Sequence, residues 1–327
     1  MKHPSRILAI LIQSVALLAP FAVPAAHAAD YPVKPIRMVL GYPAGSGIDN
    51  VARQIAQHME KTSGQPVVVD NKPGALGNIA AQTVATAAPD GYTILFTPNS
   101  AMGINVHLFK QMPFDPVRDF TPVATVATLG FAILVNPQTV PAKTLQELTA
   151  MIRKEPGKYS YGTGNATGQV VGALYANMAG LQAQNIPYKG VPPAMTDLLG
   201  GRIQYVIADA SLAIPQVKGG RVKALAVTNR TRMAALKDVP TMQESGLPGY
   251  DLTAWFGIFL PAKAPAEATQ FLAARIRQAV TDPAVVESLR SIGVEALPGN
   301  GADLAKMMAS DTEKWGRIIK QAGISAE

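Results

Sequence analysis

Two long β-prone runs, Phe120–Asn136 and Leu252–Leu260, interrupt an otherwise regular alternation of short apolar runs and amphipathic stretches. An ordinary strand has about 5–6 residues. The first run therefore reads as two strands, or as one strand that crosses between domains. The second, bounded by Pro248-Gly249 and Pro261, reads as the return crossing. Before the first run, Ile36–Leu40, Val67–Val69 and Tyr92–Phe96 read as strands, and Asp49–Thr62 and Ile79–Ala87 as helices. Between the two runs the pattern repeats. Helices are expected at Leu145–Lys154, Gln169–Ala179 and Pro193–Leu199, and strands at Tyr159–Tyr161, Asn185–Tyr188, Tyr205–Ala208 and Ala224–Val227. Helices Ala266–Val280 and Ala302–Ala322 end the chain. The βαβ rhythm predicts parallel strands covered by helices. Two such units joined by two crossings predict an α/β molecule of two lobes with a cleft between them.

Composition narrows the function. The chain has 327 residues, 48% hydrophobic and 16% charged, with no cysteine and four histidines. The missing cysteine excludes a disulfide scaffold, a thiolate metal site and a cysteine nucleophile. The formal charge of +7 is not gathered into a basic patch, so no nucleic-acid partner is expected. Residues 1–28 read as a cleaved signal peptide: Lys2 and Arg6, an apolar run from Ile7 to Ala19, then the small-x-small site Ala26-His27-Ala28. That run is shorter than the roughly 20 residues of a membrane span. Export to the periplasm is the expectation. Only His58 and His107 then remain, so neither a metal nor a cofactor is expected.

Ligands of open α/β sheets sit beyond the carboxyl ends of strands. That rule selects the loops Tyr42–Asp49, Thr97–Ile104, Gly162–Gly168, Lys189–Pro193 and Asp209–Ala213. The first, Gly41-Tyr42-Pro43-Ala44-Gly45-Ser46-Gly47-Ile48-Asp49, follows a strand and opens a helix, an arrangement that favours a carboxylate or phosphate. It lacks the Gly-Lys-Ser/Thr of a P-loop. Ala44, two residues before Ser46, breaks the nucleophile-elbow pattern. A plain tight turn with Ser46 or Asp49 as helix cap is the competing reading. The loop Gly162–Gly168 matches a loose dinucleotide fingerprint, but the strand near Asn185 carries no acidic residue for a ribose. Read physically, it is a second anion-friendly helix start with donors on Thr163, Asn165 and Thr167. Lys189 adds positive potential to the cleft or is a surface lysine. Asp209 accepts from a ligand or caps the turn that follows.

The mature start Tyr31-Pro32-Val33-Lys34-Pro35-Ile36-Arg37 resembles the opening of the Bug (TctC-like) receptors of tripartite tricarboxylate transporters. The resemblance continues through Asn71-Lys72-Pro73-Gly74, Pro89-Asp90-Gly91-Tyr92-Thr93, Pro113-Phe114-Asp115-Pro116 and Pro187-Tyr188-Lys189-Gly190. Asp197-Leu198-Leu199-Gly200-Gly201, Ala224-Leu225-Ala226-Val227-Thr228, Asp238-Val239-Pro240-Thr241 and Gly246-Leu247-Pro248-Gly249-Tyr250 complete it. It implies a two-lobed type II periplasmic-binding-protein fold that closes on a small carboxylate. Lobe one is expected at 29–125 plus 255–327, and lobe two at 126–254. In such receptors backbone amides and waters of two loops hold the acid. By position these loops supply Tyr42, Ala44, Gly45, Ser46, Gly47, Ile48 and Asp49, and Thr163, Asn165, Ala166, Thr167 and Gln169. Ser100 and Asp209, from two further cleft loops, complete the expected site. The sequence departs from the family at Gly45-Ser46-Gly47-Ile48-Asp49, where Gly-Gly-Gly-Thr/Ser-Asp is common, and at Leu76, where a tiny residue is usual.

The expected function is capture of an organic acid for a membrane permease of one large and one small polytopic subunit, by a monomer without catalysis. Two alternatives stand beside it. One is a receptor that presents its closed form to a sensor protein. The other is a secreted serine hydrolase using Ser46 or Ser100, which would need a base within hydrogen-bond reach.

Overall fold

The structure is a computed structural model and describes residues 31–324; the expected signal peptide lies outside the described residues. β1 (Ile36–Leu40) pairs in parallel with β2 (Val67–Asn71) on one side and β3 (Thr93–Pro98) on the other. α1 (Gly47–Ser63) joins β1 to β2, and α2 (Asn78–Ala85) leads to β3. α1 buries Val51, Ile55 and Met59, one face at four-residue spacing, and ends at Gly64, whose φ of 69° suits a residue without Cβ. After β3 the chain makes a π-helical turn, Ser100–Ile104, and one turn of helix α3 (Asn105–Leu108).

The long β-prone run is a single 16-residue strand, β4 (Phe120–Val135). Beyond it, α4 (Leu145–Lys154), β5 (Ser160–Thr163), α5 (Ala166–Ala179), β6 (Gln184–Pro187), α6 (Val191–Leu199) and β7 (Tyr205–Asp209) form the second parallel set, with β5 between β6 and β7. α7 (Ala210–Lys218) and β8 (Lys223–Val227) follow. The return run is β9 (Thr253–Pro261), and α8 (Ala266–Thr281), α9 (Pro283–Ser291), β10 (Val294–Asn300) and α10 (Gly301–Gln321) complete the chain.

The strand order is β2-β1-β3-β9-β4-β7-β5-β6, with β10 and β8 also paired to β4. β4 is the spine. Up to Gly130 it pairs with β9 and β10; from Phe131 onward it pairs with β7 and β8, all antiparallel. The switch is pinned by Thr228, which is fully buried. Its Oγ1 accepts from Phe131 N–H (2.9 Å) and donates to the Leu252 carbonyl (2.6 Å), so one side chain ties both crossings at the same level. The outer rows are parallel as expected, while the strands about the crossings are antiparallel.

Besides the single-turn α3, three elements escaped the sequence pattern. α7 carries Pro215 in its interior, a residue that normally argues against a helix. α9 starts on an Asp282 cap followed by Pro283, yet buries only Leu289, so its amphipathic signal is weak. β10 is broken by a register shift between Ala296 and Gly299, with Pro298 inside it.

Candidate ligand cleft

The β1–α1 loop is braced from behind. The Asp49 carboxylate accepts from Gly45 N–H (2.9 Å), from Arg53 (3.0 Å) and from Asn71 Nδ2 (2.9 Å), and the same Asn71 amide group donates to the Tyr42 carbonyl. Burial alone would raise the Asp49 pKa; the hydrogen bonds from Arg53, Asn71 and Gly45 outweigh it and hold the carboxyl below its ordinary range. Asp49 thus shapes the loop and lines neither cavity of the cleft. Ala44 and Gly45 are exposed. Ser46 is different. It holds the N-cap position of α1 but makes no capping bond, and its buried Oγ has no partner.

On the opposite side Asn165 caps α5, accepting from Gly168 N–H at 2.7 Å. Ala166 is buried in the first turn, and Thr163 is spent on Asn185 Oδ1 (2.9 Å). Thr167 Oγ1 reaches across the cleft. It donates to Asn99 Oδ1 (3.2 Å) and lies 3.3 Å from Ser100 Oγ. Asp209 ends β7 and caps α7, accepting from Leu212 N–H and Ser211 Oγ. Gly47 faces it so closely that a Cβ there would overlap the Asp209 carboxylate and the Ser211 hydroxyl. Gly190 also packs closely on Pro43, where a Cβ would lie 2.7 Å from the ring. The two sides of the cleft touch.

Between them lies a small inner cavity of about 30 Å³. Of the expected residues, Tyr42, Ser46, Gly47, Ile48, Ser100, Asn165, Thr167 and Asp209 line it; Gln169 lines a larger outer cavity of about 670 Å³ instead. Four helices start at the inner cavity: α1, α5, α6 and α7. α1 and α6 begin without a side-chain cap, so the first N–H groups of α1 and the Val191 N–H of α6, whose next two residues are Pro192 and Pro193, are free to serve an anion. No lysine or arginine lines this cavity. Its apolar walls, Leu129 and Phe131 from β4 and Ala254 and Phe256 from β9, were missed in the sequence. The start of α6, Gly190 and Val191, lay in an inspected loop but was not singled out. The available signal was the long β run itself: a strand that crosses a cleft must also wall it.

Burial pushes the Tyr42 phenol up to about 12, so it stays a neutral donor. Burial also raises Asp209, with only partial relief from Ser211 and Leu212 N–H. A raised folded-state pKa means that the stabilising contribution is complete below the ordinary value near 3.8 and is lost as pH rises through the folded value. Asp209→Asn keeps a capping oxygen and removes the charge. Thermal melts of ligand-free protein should show the variant a few degrees more stable at pH 7, the gap closing below pH 4; a gap independent of pH would contradict this.

Residues 51–324 match the family described as tripartite tricarboxylate transporter family receptor, TctC. The chain belongs to that family. A UPF0065 protein of Bordetella bronchiseptica is 35% identical over 321 residues, 96% of this chain and 95% of that one. Among solved structures, the R. palustris protein Rpa4515 with adipate superposes with a TM-score of 0.89 at 30% identity, covering 91% of this chain and all of the other. The periplasmic binding protein BugD gives a TM-score of 0.87 at 32% identity with the same coverage. This TctC receptor therefore has the two-lobed periplasmic-binding-protein fold, and its cleft is the junction of the two lobes. Among the described residues no helix is long and apolar enough to cross a membrane, and no group of three metal-ligating side chains occurs.

Proposed function

We propose that this TctC receptor captures a small carboxylate in the periplasm and delivers it to a membrane permease, without chemistry on the ligand. The observation that carries the reading is the convergence of four helix starts on a cavity whose buried Ser46 hydroxyl has no partner. An unpaired buried donor is costly, and a carboxylate accepting from Ser46, from the first N–H groups of α1 and from the Val191 N–H of α6 removes that cost. The adipate held by the R. palustris relative is an acid of the same class. The lobes are assigned as 29–125 plus 255–327 and 126–254, and the acid is contacted by Tyr42, Ser46, Gly47, Ile48, Ser100, Asn165, Thr167 and Asp209. His58 and His107 give a hydrolase no base in this cavity: His107 Nε2 lies 2.8 Å from the Thr312 carbonyl, and His58 faces Asp282.

The test is calorimetric titration of a carboxylate panel, followed by mass spectrometry of the bound acid. The acid should be recovered unchanged. Ser46→Ala should weaken binding at least tenfold, the loss of roughly 1.5–3 kcal/mol from one hydrogen bond to a charged group. Ser46→Ala with wild-type affinity, or a chemically altered ligand, would refute the reading.

A further inference from the structure

Resting on the two-lobe receptor reading, we propose that Asn229, outside both cavities, biases the cleft toward an open form from the crossing of β4 and β9.

Hydrogen bonds fix the level of the pivot. Thr228, just past β8, takes both main-chain polar groups of Phe131 and both of Leu252. Its N–H donates to the Phe131 carbonyl (2.9 Å), and its carbonyl accepts from Leu252 N–H (3.0 Å). Its hydroxyl accepts from Phe131 N–H and donates to the Leu252 carbonyl. Four bonds from one residue clamp both crossing strands to the end of β8, and a bend at this level would break them. The first pair of the two crossings beyond the clamp is Gly130 with Thr253. A bend between the lobes falls there.

Asn229 follows the clamp and lies on that pair. A Cβ on Gly130 would overlap the Asn229 side-chain oxygen and press on Met233. Gly130 is not at positive φ, so the contact and not the backbone conformation demands a glycine. The same oxygen, Asn229 Oδ1, is buried and has no hydrogen-bond partner. Gly130 offers it only a Cα–H, a weak donor. This is the form in which the two sides of the cleft touch, at Gly47 on Asp209 and at Gly190 on Pro43. A buried acceptor without a donor is costly. A bend at Gly130 that lifts the crossing off Asn229 lets the oxygen meet water, so closure carries a cost that opening relieves. A guest must offset it, and Asn229 thereby lowers the apparent affinity through the fraction of closed receptor. An emptied receptor reopens.

Two substitutions separate this bias from mere support of the fold. Asn229→Ala removes the unpaired oxygen and should favour closure. Asn229→Asp at neutral pH places a charge there and should favour opening. Small-angle scattering of ligand-free protein should give a smaller radius of gyration for Asn229→Ala than for the unaltered chain, and no decrease for Asn229→Asp. In calorimetry with succinate, adipate, malate and citrate, each acid that binds the unaltered protein should bind several-fold tighter to Asn229→Ala and several-fold weaker to Asn229→Asp. Gly130→Ala should weaken the same acids, and adding Asn229→Ala should restore them, a coupling that independent sites do not show. Should Asn229→Ala fold poorly in a thermal melt, the scattering of Gly130→Ala decides, with a larger ligand-free radius expected and an unchanged one contrary. Equal radii for the unaltered protein and a well-folded Asn229→Ala, or weaker binding by both Asn229 variants, would overturn the proposal and leave the receptor standing. No binding by any acid would overturn the receptor reading, while the scattering still decides the pivot.

Discussion

Gly47→Ala should weaken carboxylate binding at least tenfold, and Gly47→Leu should abolish it, with both proteins still folded. Gly47 opens α1 and is buried against Asp209 and Ser211 at the end of β7. Any Cβ on it lands on the Asp209 carboxylate and the Ser211 hydroxyl. Asp209 cannot swing aside without giving up its cap on α7, and it is walled in. The lobes must then stand apart by the width of a methyl group or more, and the helix starts no longer reach one anion together. Tenfold corresponds to about 1.4 kcal/mol, modest for a closure that depends on contacts from both sides. Calorimetry reads the affinity, and small-angle scattering reads the radius of gyration with and without acid. Wild-type binding by Gly47→Leu would mean that the contact between Gly47 and Asp209 has no part in closure.

The second large effect is on stability. One carboxylate oxygen of Asp311, on α10, accepts from Trp255 Nε1 (2.7 Å), Trp315 Nε1 (3.0 Å) and Asn99 Nδ2 (3.2 Å). Trp255 is 3% exposed, and Trp315 and Asn99 are fully buried, so water cannot replace the lost acceptor. Leaving a buried donor unpaired costs about 1–3 kcal/mol. With three donors sharing one acceptor, Asp311→Ala should lose about 3–5 kcal/mol. Asp311→Asn retains an oxygen and should lose less than half of that. Urea denaturation of both variants checks the pair. Equal losses would show that packing volume, not the missing acceptor, sets the cost.

The architecture was legible in the sequence because its signals are local. Gly-rich turns after β1 and β5 mark helix starts, and the continuous run at Phe120–Val135 is too long for an ordinary strand. The loops that line the inner cavity from β1 and β5 followed from the same signals. What sequence could not provide was relation in space. Phe131 and Phe256 wall one cavity although 125 positions separate them, and only the register of β4 and β9 makes them neighbours. Asp49 and Ser46 look interchangeable as helix caps in the sequence. Arg53 and Asn71 decide between them, occupying Asp49 and leaving Ser46 unpaired. α7 hid behind Pro215, and β10 behind its own irregularity.

The chain contains two tryptophans. Both indole N–H groups rest on the same Asp311 oxygen, and the Asn99 that shares it clasps Thr167 at the start of α5. Indole emission responds to the electric field along the ring, and here one carboxylate oxygen, which also holds the amide that clasps Thr167, lies against both indoles. Any movement of the cleft that makes or breaks the Asn99–Thr167 contact should therefore shift the tryptophan emission. Both indoles and Asp311 lie outside the two cavities, so that shift would follow the movement and not the identity of a guest.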